Sequence, residues 1–278
     1  MMNDLTYLNE VLPLWATCEL PQGVSLLHTR QPLPESLKGA QRSDGAPPQV
    51  MIVAAFPYLL PAEHYAKRNI ARYAVVRDYH QVVGERLERA CALLREHYPD
   101  DEFVHFADHS PLPEVALAEH AGLGVRGRHN LLITEKFGSW VVLGEIVTTA
   151  ALPPVRSAKC LVLSCEDCGR CVKACPANVL GHAQFDRTQC LSYISQRKEQ
   201  PSDAAAAQLR AMHSAWGCDI CQQVCPHNRQ AQIAPLPEFL QGAIAELTHT
   251  TPIEDRAYAW RGRAVLGRNL DNLRGTSV

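Results

Sequence analysis

Cys165-Glu-Asp-Cys168-Gly-Arg-Cys171-Val-Lys-Ala-Cys175-Pro176 is the stretch that decides the reading of this chain. Its C-x2-C-x2-C-x3-C-P spacing is the bacterial run that supplies thiolates to [4Fe–4S] cubanes. A lone Cys190 follows, and then Cys218-Asp-Ile-Cys221-Gln-Gln-Val-Cys225-Pro226. In two-cluster proteins the fourth cysteine of such a run ligates the other cluster. Crossing the ligands assigns Cys165, Cys168, Cys171 and Cys225 to one centre, and Cys175, Cys190, Cys218 and Cys221 to the second. Two cubanes then use all eight thiolates of this region.

Two other readings of the cysteines fit less well. A disulfide framework belongs to small secreted domains, whereas this chain has 278 residues and opens on Met1-Met-Asn-Asp-Leu-Thr, without the basic and apolar regions of a signal peptide. A zinc ribbon uses two isolated C-x2-C knuckles and needs neither a third close cysteine nor the C-P ending. Eleven cysteines without a signal point to a reducing cytoplasm. Cys18, Cys91 and Cys160 fall outside the pattern and read as ordinary structural thiols.

Composition sets further bounds. With 46% hydrophobic residues the chain can bury a core, and its length suits one large or two smaller domains. The net charge of −2 gives no electrostatic case for nucleic acid, although a local basic patch is compatible with it. No uninterrupted apolar run reaches the roughly 18 residues of a membrane span.

Along the chain, residues 5–16 suggest a helix, and the Pro- and Gly-rich residues 21–49 suggest loops around one short strand. Val50-Met-Ile-Val-Ala-Ala-Phe56 is a continuous apolar run ended by Pro57, as in a strand buried on both faces. Val83, Leu87, Ala90, Cys91 and Leu94 repeat at spacings of three and four, which predicts a long helix ending near Tyr98-Pro99. Phe103 to Phe106 reads as a strand delivering Asp108, and Pro113 to Ala121 as a helix. Asn130–Thr134 and Ser139–Thr148 are β-rich, and Glu135-Lys-Phe-Gly138 between them suits a hairpin turn. The paired prolines of Ala151-Leu-Pro-Pro-Val-Arg156 mark a domain boundary. Ser202–His213 and Leu236–Leu247 read as helices.

Taken together, several segments resemble the epoxyqueuosine reductase family, cobalamin-dependent iron–sulfur enzymes of queuosine biosynthesis in tRNA. The resemblance is carried by Arg72-Tyr-Ala-Val-Val-Arg-Asp-Tyr-His80, Asp108-His-Ser-Pro-Leu-Pro-Glu114 and Ala121-Gly-Leu-Gly124. Leu131-Leu-Ile-Thr134, Phe137-Gly-Ser-Trp-Val-Val-Leu-Gly-Glu145, Cys190-Leu-Ser-Tyr193 and both cysteine runs extend it over about residues 50–230. It implies an α+β or α/β fold: a nitroreductase-like, cobalamin-binding reductase domain over 1–154, a ferredoxin-like double [4Fe–4S] domain over 155–232, and a helical tail over 233–278. It also implies a corrin between the two domains, a low-potential flavodoxin- or ferredoxin-type donor, tRNA as the partner carrying the substrate, and no membrane.

The same resemblance makes Asp108 the proton donor to the departing epoxide oxygen. It places Tyr73, Asp108, Leu132, Leu143, Ile146 and Ser192 against the cobalamin, although Leu132, Leu143 and Ile146 read by pattern as core. From the residues alone, Asp-x-Ser-Pro also suits a helix N-cap at Asp108 or Ser110. His109 reads as a loop histidine, and Arg77-Asp-Tyr-His80 as the charged opening of a helix. The family continues into a C-terminal helical-repeat domain that helps to hold the anticodon arm. Only Trp260-Arg-Gly-Arg-Ala-Val-Leu-Gly-Arg-Asn269 matches its start, so a short member is expected. Arg256, Arg261, Arg263, Arg268 and Arg274 form a basic tail, read as a solvated face ahead of a phosphate contact. The alternatives are a two-cluster carrier serving another enzyme and a corrinoid reductase of a non-tRNA substrate.

Overall fold

The computed structural model describes residues 4–19, 50–108, 110–156, 165, 167–182 and 184–275. The expected loops and strand of 21–49, His109 and Cys160 lie outside these residues. The strands are β1 (Trp15–Glu19), β2 (Val50–Pro57), β3 (Phe103–Ala107), β4 (Val125–Arg126), β5 (Leu132–Ile133) and β6 (Val141–Thr148). The main sheet has the order β1-β2-β6-β3 with every neighbouring pair antiparallel, and β4 and β5 form a separate ribbon. The apolar run at β2 therefore becomes an inner strand.

Helices cover both faces of this sheet, and alternation along each strand divides the side chains between them. Ile52, Ala54, Phe56 and Ile146 pack with the helix α2 (Tyr79–His97), through Val82, Val83, Leu87, Ala90, Cys91 and Leu94. A short helix α1 (Arg72–Val75) precedes α2. Met51, Val53 and Val147 turn to the other face, against Leu117 and Ala118 of α3 (Glu114–His120). Gly144 allows α2 its close approach: a Cβ there would stand 2.8 Å from Leu87 Cδ1 and 3.0 Å from Val83 Cγ1. Truncating a core residue such as Leu87 to Ala costs about 2–5 kcal/mol at sites of this kind.

Four sequence expectations need correction. Residues 5–16 hold only a 3-10 turn, Thr6–Glu10, before β1 begins at Trp15. Pro13 has no N–H to continue a helix, and pairing of Trp15 with Ala54 gives the backbone other partners. The two β-rich runs around Gly138 do not pair as a hairpin, because β5 pairs with β4 while β6 joins the main sheet. Only the turn survives, closed by the Thr134 N–H to the Gly138 carbonyl at 2.9 Å. Gly138 sits at φ +56° with Asn228 Oδ1 2.1 Å from where a Cβ would be, so a side chain is excluded there.

The helix expected over Leu236–Leu247 shrinks to Pro237–Leu240, since Gly242 turns the chain at φ +71°. The arginine tail is a solvated face only in part: Arg263 and Arg274 are exposed, while Arg256 is buried and Arg261 and Arg268 are half-buried. Arg256 is 3% exposed and donates to the carbonyls of Val75, Val76 and Gly242. Arg263 donates to the His249 and Thr251 carbonyls, and Arg268 to those of Lys198 and Glu199. These arginines tie otherwise unpaired loop carbonyls together, with helix Gly262–Arg274 packed alongside.

The last third of the chain completes the first core. Trp216, Leu236, Phe239, Leu247, Tyr258, Val265 and Leu270 belong to the same buried cluster as α2 and β2. This packing holds the cysteine-bearing loops against the sheet. No helix among the described residues is long and apolar enough to cross a membrane.

Candidate active site

The cysteines are delivered by short helices that meet. Gly169 enters helix α4 (Arg170–Ala174) in the left-handed conformation, with φ 56°, which puts Cys171 in its first turn and Cys175 at its C-cap. Helix α7 (Ile220–Gln223), seventh in chain order after α5 (Leu191–Gln196) and α6 (Asp203–Ala211), carries Cys221 and packs on α4. Cys165, Cys168, Cys171 and Cys225 line one small cavity of about 10 Å³ together with Arg128, His129, Gly169, Arg170, Pro226 and His227. Cys175, Cys190 and Cys221 share an apolar cluster with Val172, Ala177, Val179 and Leu180, and Cys218 packs beside it against the cluster of Leu191 and Leu209.

The electrostatics show the same grouping. Burial, followed by the neighbouring thiols Cys190 and Cys175, pushes the Cys218 thiol up to about 12. Burial raises Cys225 too, with Cys165, Cys171 and Cys168 acting in the same direction. Such crowded, buried thiols ionise together only when a cation joins them, and coordination to a metal deprotonates a thiol outright. All described cysteines are free of disulfides. Among the described residues no three His, Cys, Asp or Glu side chains gather closely enough to hold a single metal ion, so each set surrounds a volume rather than a point.

Asp108 stands at the end of β3 in the left-handed region, with φ 60°. This conformation is costly for most residues and tolerated by Asp, and it concentrates at functional sites. Asp108 Oδ2 accepts a hydrogen bond from the Tyr79 hydroxyl at 3.0 Å and lies 3.1 Å from His80 Nε2. The other ring nitrogen, His80 Nδ1, is 2.7 Å from Asp78 Oδ1. Asp78 also caps α2 by accepting from the His80 backbone N–H at 3.0 Å. Burial opposes charge on His80, but hydrogen bonds to Asp108 and Asp78 outweigh it and hold its pKa at about 9. At neutral pH the protonated imidazole therefore stands between the side chains of Asp78 and Asp108.

The N-cap reading of Asp108 does not hold. Helix α3 starts six residues later at Glu114, with Pro113 at its N-cap and no side chain capping it. Ser110 instead accepts from the Leu112 N–H within the loop, at 3.1 Å. The Asp108 side chain is 41% exposed, so a ligand can reach it.

Tyr73 and Ser192 are brought into line with this network. The Tyr73 ring meets Tyr79 edge-on at 6.0 Å, and Gln196 Nε2 donates to its hydroxyl at 3.2 Å. Burial raises the Tyr73 phenol, and its ring lies against Gly217, where a Cβ would stand 3.1 Å from Tyr73 Cε1. Gly217 precedes Cys218 and Ser192 lies two residues past Cys190, so Tyr73 and Tyr79 run between the second cysteine set and Asp108. Leu132 and Ile146 are buried in the two cores and Leu143 is packed on the α3 side, so these three side chains lie within the scaffold.

Two polar clamps fix the cysteine loops to the reductase part. Asp219, between Cys218 and Cys221, is buried and accepts from Arg68 Nη1 at 2.7 Å and the Arg72 N–H at 2.9 Å. Asn228, just past Cys225, accepts from the Ser139 N–H at 2.7 Å and donates to Ser139 Oγ at 2.8 Å. Gln222 completes this clamp by donating to the Ser139 carbonyl at 2.7 Å. One wholly buried acid lies behind Asp108. Glu145 on β6 is 0% exposed and neither of its oxygens has a hydrogen-bond partner. Burial pushes its carboxyl up to about 7, with Ser110 acting weakly in the opposite sense, and burial also raises its neighbour Glu114.

Sequence reasoning missed Asp78, Tyr79, His80 and Glu145 as site residues. Asp78 and His80 read as helix-opening surface charge, and only the fold brings Asp108 over them. The signal for Glu145 was present, as a lone acid in the apolar run Val-Val-Leu-Gly-Glu-Ile-Val of β6.

Comparisons with known proteins bear on both parts. Residues 47–109 match the family described as epoxyqueuosine reductase QueG, DUF1730, and residues 164–228 match a 4Fe-4S double cluster binding domain. The epoxyqueuosine reductase of Listeria monocytogenes is 34% identical over 238 residues, covering 79% of this chain and 62% of that one. The structure of the Streptococcus thermophilus epoxyqueuosine reductase superposes with a TM-score of 0.76 at 23% identity, covering 98% of this chain and 80% of its own. A crystal structure of an epoxyqueuosine reductase with an epoxyqueuosine-modified tRNA-Tyr stem loop gives the same score at 21% identity, with coverage of 98% and 80%. The chain thus spans 62% of the Listeria relative's length. Its reductase part and its double-cluster part match, in the same order, those of epoxyqueuosine reductases.

Proposed function

We propose that the chain reduces epoxyqueuosine in tRNA to queuosine, with Asp108 as the catalytic proton donor and two [4Fe–4S] clusters feeding electrons to a cobalamin. The observation that carries this reading is the half-exposed Asp108, hydrogen-bonded by Tyr79 and His80 and joined to the second cysteine set through Tyr73, which packs on Gly217 beside Cys218. A plain electron carrier has no use for such a network. Cys165, Cys168, Cys171 and Cys225 are the proposed ligands of the first cluster, and Cys175, Cys190, Cys218 and Cys221 those of the second. The crowding of thiols in each set suits iron, as burial raises Cys218 in one and Cys225 in the other and a metal offsets that cost.

Tyr73, Asp108 and Ser192, with backbone at Leu132, Leu143 and Ile146, are the proposed cobalamin contacts. The exposed Asp108 carboxyl beside buried tyrosines suits a large, partly apolar group with polar edges. When bound, cobalamin supplies low-potential electron transfer to the epoxide carbon. Overall the substrate takes up two electrons and two protons, and the epoxide oxygen leaves as water. The chain's own part is the proton. His80 Nε2 holds one against Asp108 Oδ2, Asp78 keeps the ring oriented through Nδ1, and Tyr79 fixes the carboxylate from its other side. Each proton that Asp108 gives up can be replaced from His80 Nε2, 3.1 Å from Asp108 Oδ2.

We also assign the division at 154/155 and 232/233, a flavodoxin- or ferredoxin-type donor and a cytoplasmic location to this reading. Asp108→Asn tests it. The variant should keep both clusters and bind cobalamin, yet lose turnover of an epoxyqueuosine-containing tRNA stem loop by at least about 100-fold, the scale of a lost general acid. Turnover within a few-fold of wild type would refute Asp108 as the donor.

A further inference from the structure

The two cysteine sets differ in what surrounds their openings. The cavity of the first set carries Arg128 and Arg170 on its rim. A second cavity, of about 280 Å³, shares Arg128 and is lined by Arg126, Asn130, Val179, Gly181, His182 and Phe185. Arg126, Arg128 and Arg170 are exposed, and Phe185 is 40% exposed. Among the described residues no Asp or Glu lines either cavity; Glu119 accepts from the Arg126 N–H at 2.8 Å, and Glu166, Asp167 and Asp186 lie close by in sequence. On a chain whose net charge is −2, this is a local basic collar beside an apolar spot. The second set, half-buried, packs on apolar side chains and lies toward Tyr73, whose ring lies against Gly217 beside Cys218.

We propose that this collar is the docking surface for a small acidic one-electron carrier protein, which delivers electrons to the first cluster. The inference rests on the proposed cluster ligands. The carrier gives up one electron and the first cluster gains it, and the second cluster then passes it toward the Asp108 site. Opposite charges steer such encounters and raise their on-rate, with strong salt dependence. A small patch with one exposed aromatic suits a transient redox complex, which buries less than about 1,200 Å². An RNA strand would gain the same charge contacts, but nothing it carries needs to lie over a cluster, and Asp108 stands beside the other cysteine set.

The test uses the full chain with both clusters assembled, and a flavodoxin hydroquinone as the probe. Arg126→Glu with Arg170→Glu should lower the second-order rate of cluster reduction by at least about tenfold at low salt, with the difference fading at high salt. Binding of oxidised flavodoxin, measured by calorimetry, should weaken by a similar factor. Reduction by photoreduced deazaflavin, a small molecule that needs no docking, should not change. An unchanged flavodoxin rate and affinity would overturn the proposal. So would a loss of tRNA stem-loop binding with the flavodoxin rate intact, which would assign the collar to RNA. Iron content is read separately, so a failure of the cluster assignment shows in wild type as iron short of two cubanes. If the Glu variant alone loses iron, Arg126→Gln with Arg170→Gln decides, and must still slow flavodoxin by at least about threefold, the smaller effect of removing rather than reversing charge.

Discussion

The two cysteine sets are built from the same two sequence runs and share the apolar cluster of Val179 and Leu180, yet they face different neighbours. The first lines a cavity rimmed by arginines, while the half-buried second set packs near Leu191 and lies toward Tyr73. Crossed ligation makes this possible, because Cys225 reaches over to the first run while Cys175 leaves it for the second. A pair of near-identical motifs thereby gains a direction, with one end facing the arginine rim and the other facing Tyr73 and Asp108.

The largest effect expected on that asymmetry comes from cutting one set at a time. Cys225→Ser should remove the first cluster and spare the second, and Cys218→Ser the reverse, with iron content and electron paramagnetic resonance as the readout. Loss of the same cluster in both variants would break the crossed assignment. Next comes the clamp that holds the inner set in place. Asp219→Ala leaves Arg68 without its buried partner, and should cost about 3–5 kcal/mol in denaturant unfolding.

His80→Gln should lower turnover by about 10- to 100-fold, toward the low end for a general acid–base group, while leaving both clusters unaltered. The sign of its pH dependence follows from the raised pKa. Wild-type activity that needs the imidazolium should be full below neutrality and fall as pH rises through about 9, a limb the variant should lack. The smallest effect belongs to Glu145. A carboxyl raised to about 7 favours the folded state at low pH and loses that advantage as pH climbs from its unfolded value, near 4.5, through 7. Wild type should therefore be less stable at pH 8 than at pH 6, by roughly 1–3 kcal/mol. Glu145→Gln should flatten that slope, and an equal slope in both proteins would show that Glu145 does not titrate in this range.

The parts of this molecule that follow local rules were readable from the sequence. Cysteine spacing gave both sets, the apolar run gave β2, and the three- and four-residue repeat from Val83 to Leu94 gave the buried face of α2. What escaped depends on contacts distant in sequence. Nothing local distinguishes Asp78-Tyr79-His80 as a helix opening from the same residues as a cradle for Asp108, 28 positions after His80. The hairpin around Gly138 failed because β6 finds better partners in β2 and β3, and because Asn228 fills the space beside the turn. Arg256 and Arg268 read as solvent charge until the loops whose carbonyls they bind came together. The division of labour between the two cysteine sets was equally out of reach, since the sequence lists ligands without showing which set faces outward.

The central claim is that the Asp108 pocket and the inner cluster form one corrinoid site, and cobalamin binding tests it most directly. Protein with both clusters assembled would be titrated anaerobically with cob(II)alamin and followed by electron paramagnetic resonance. The account predicts stoichiometric base-off cobalt. Absence of binding by protein whose two clusters are intact and reducible would contradict it and leave an electron carrier in its place.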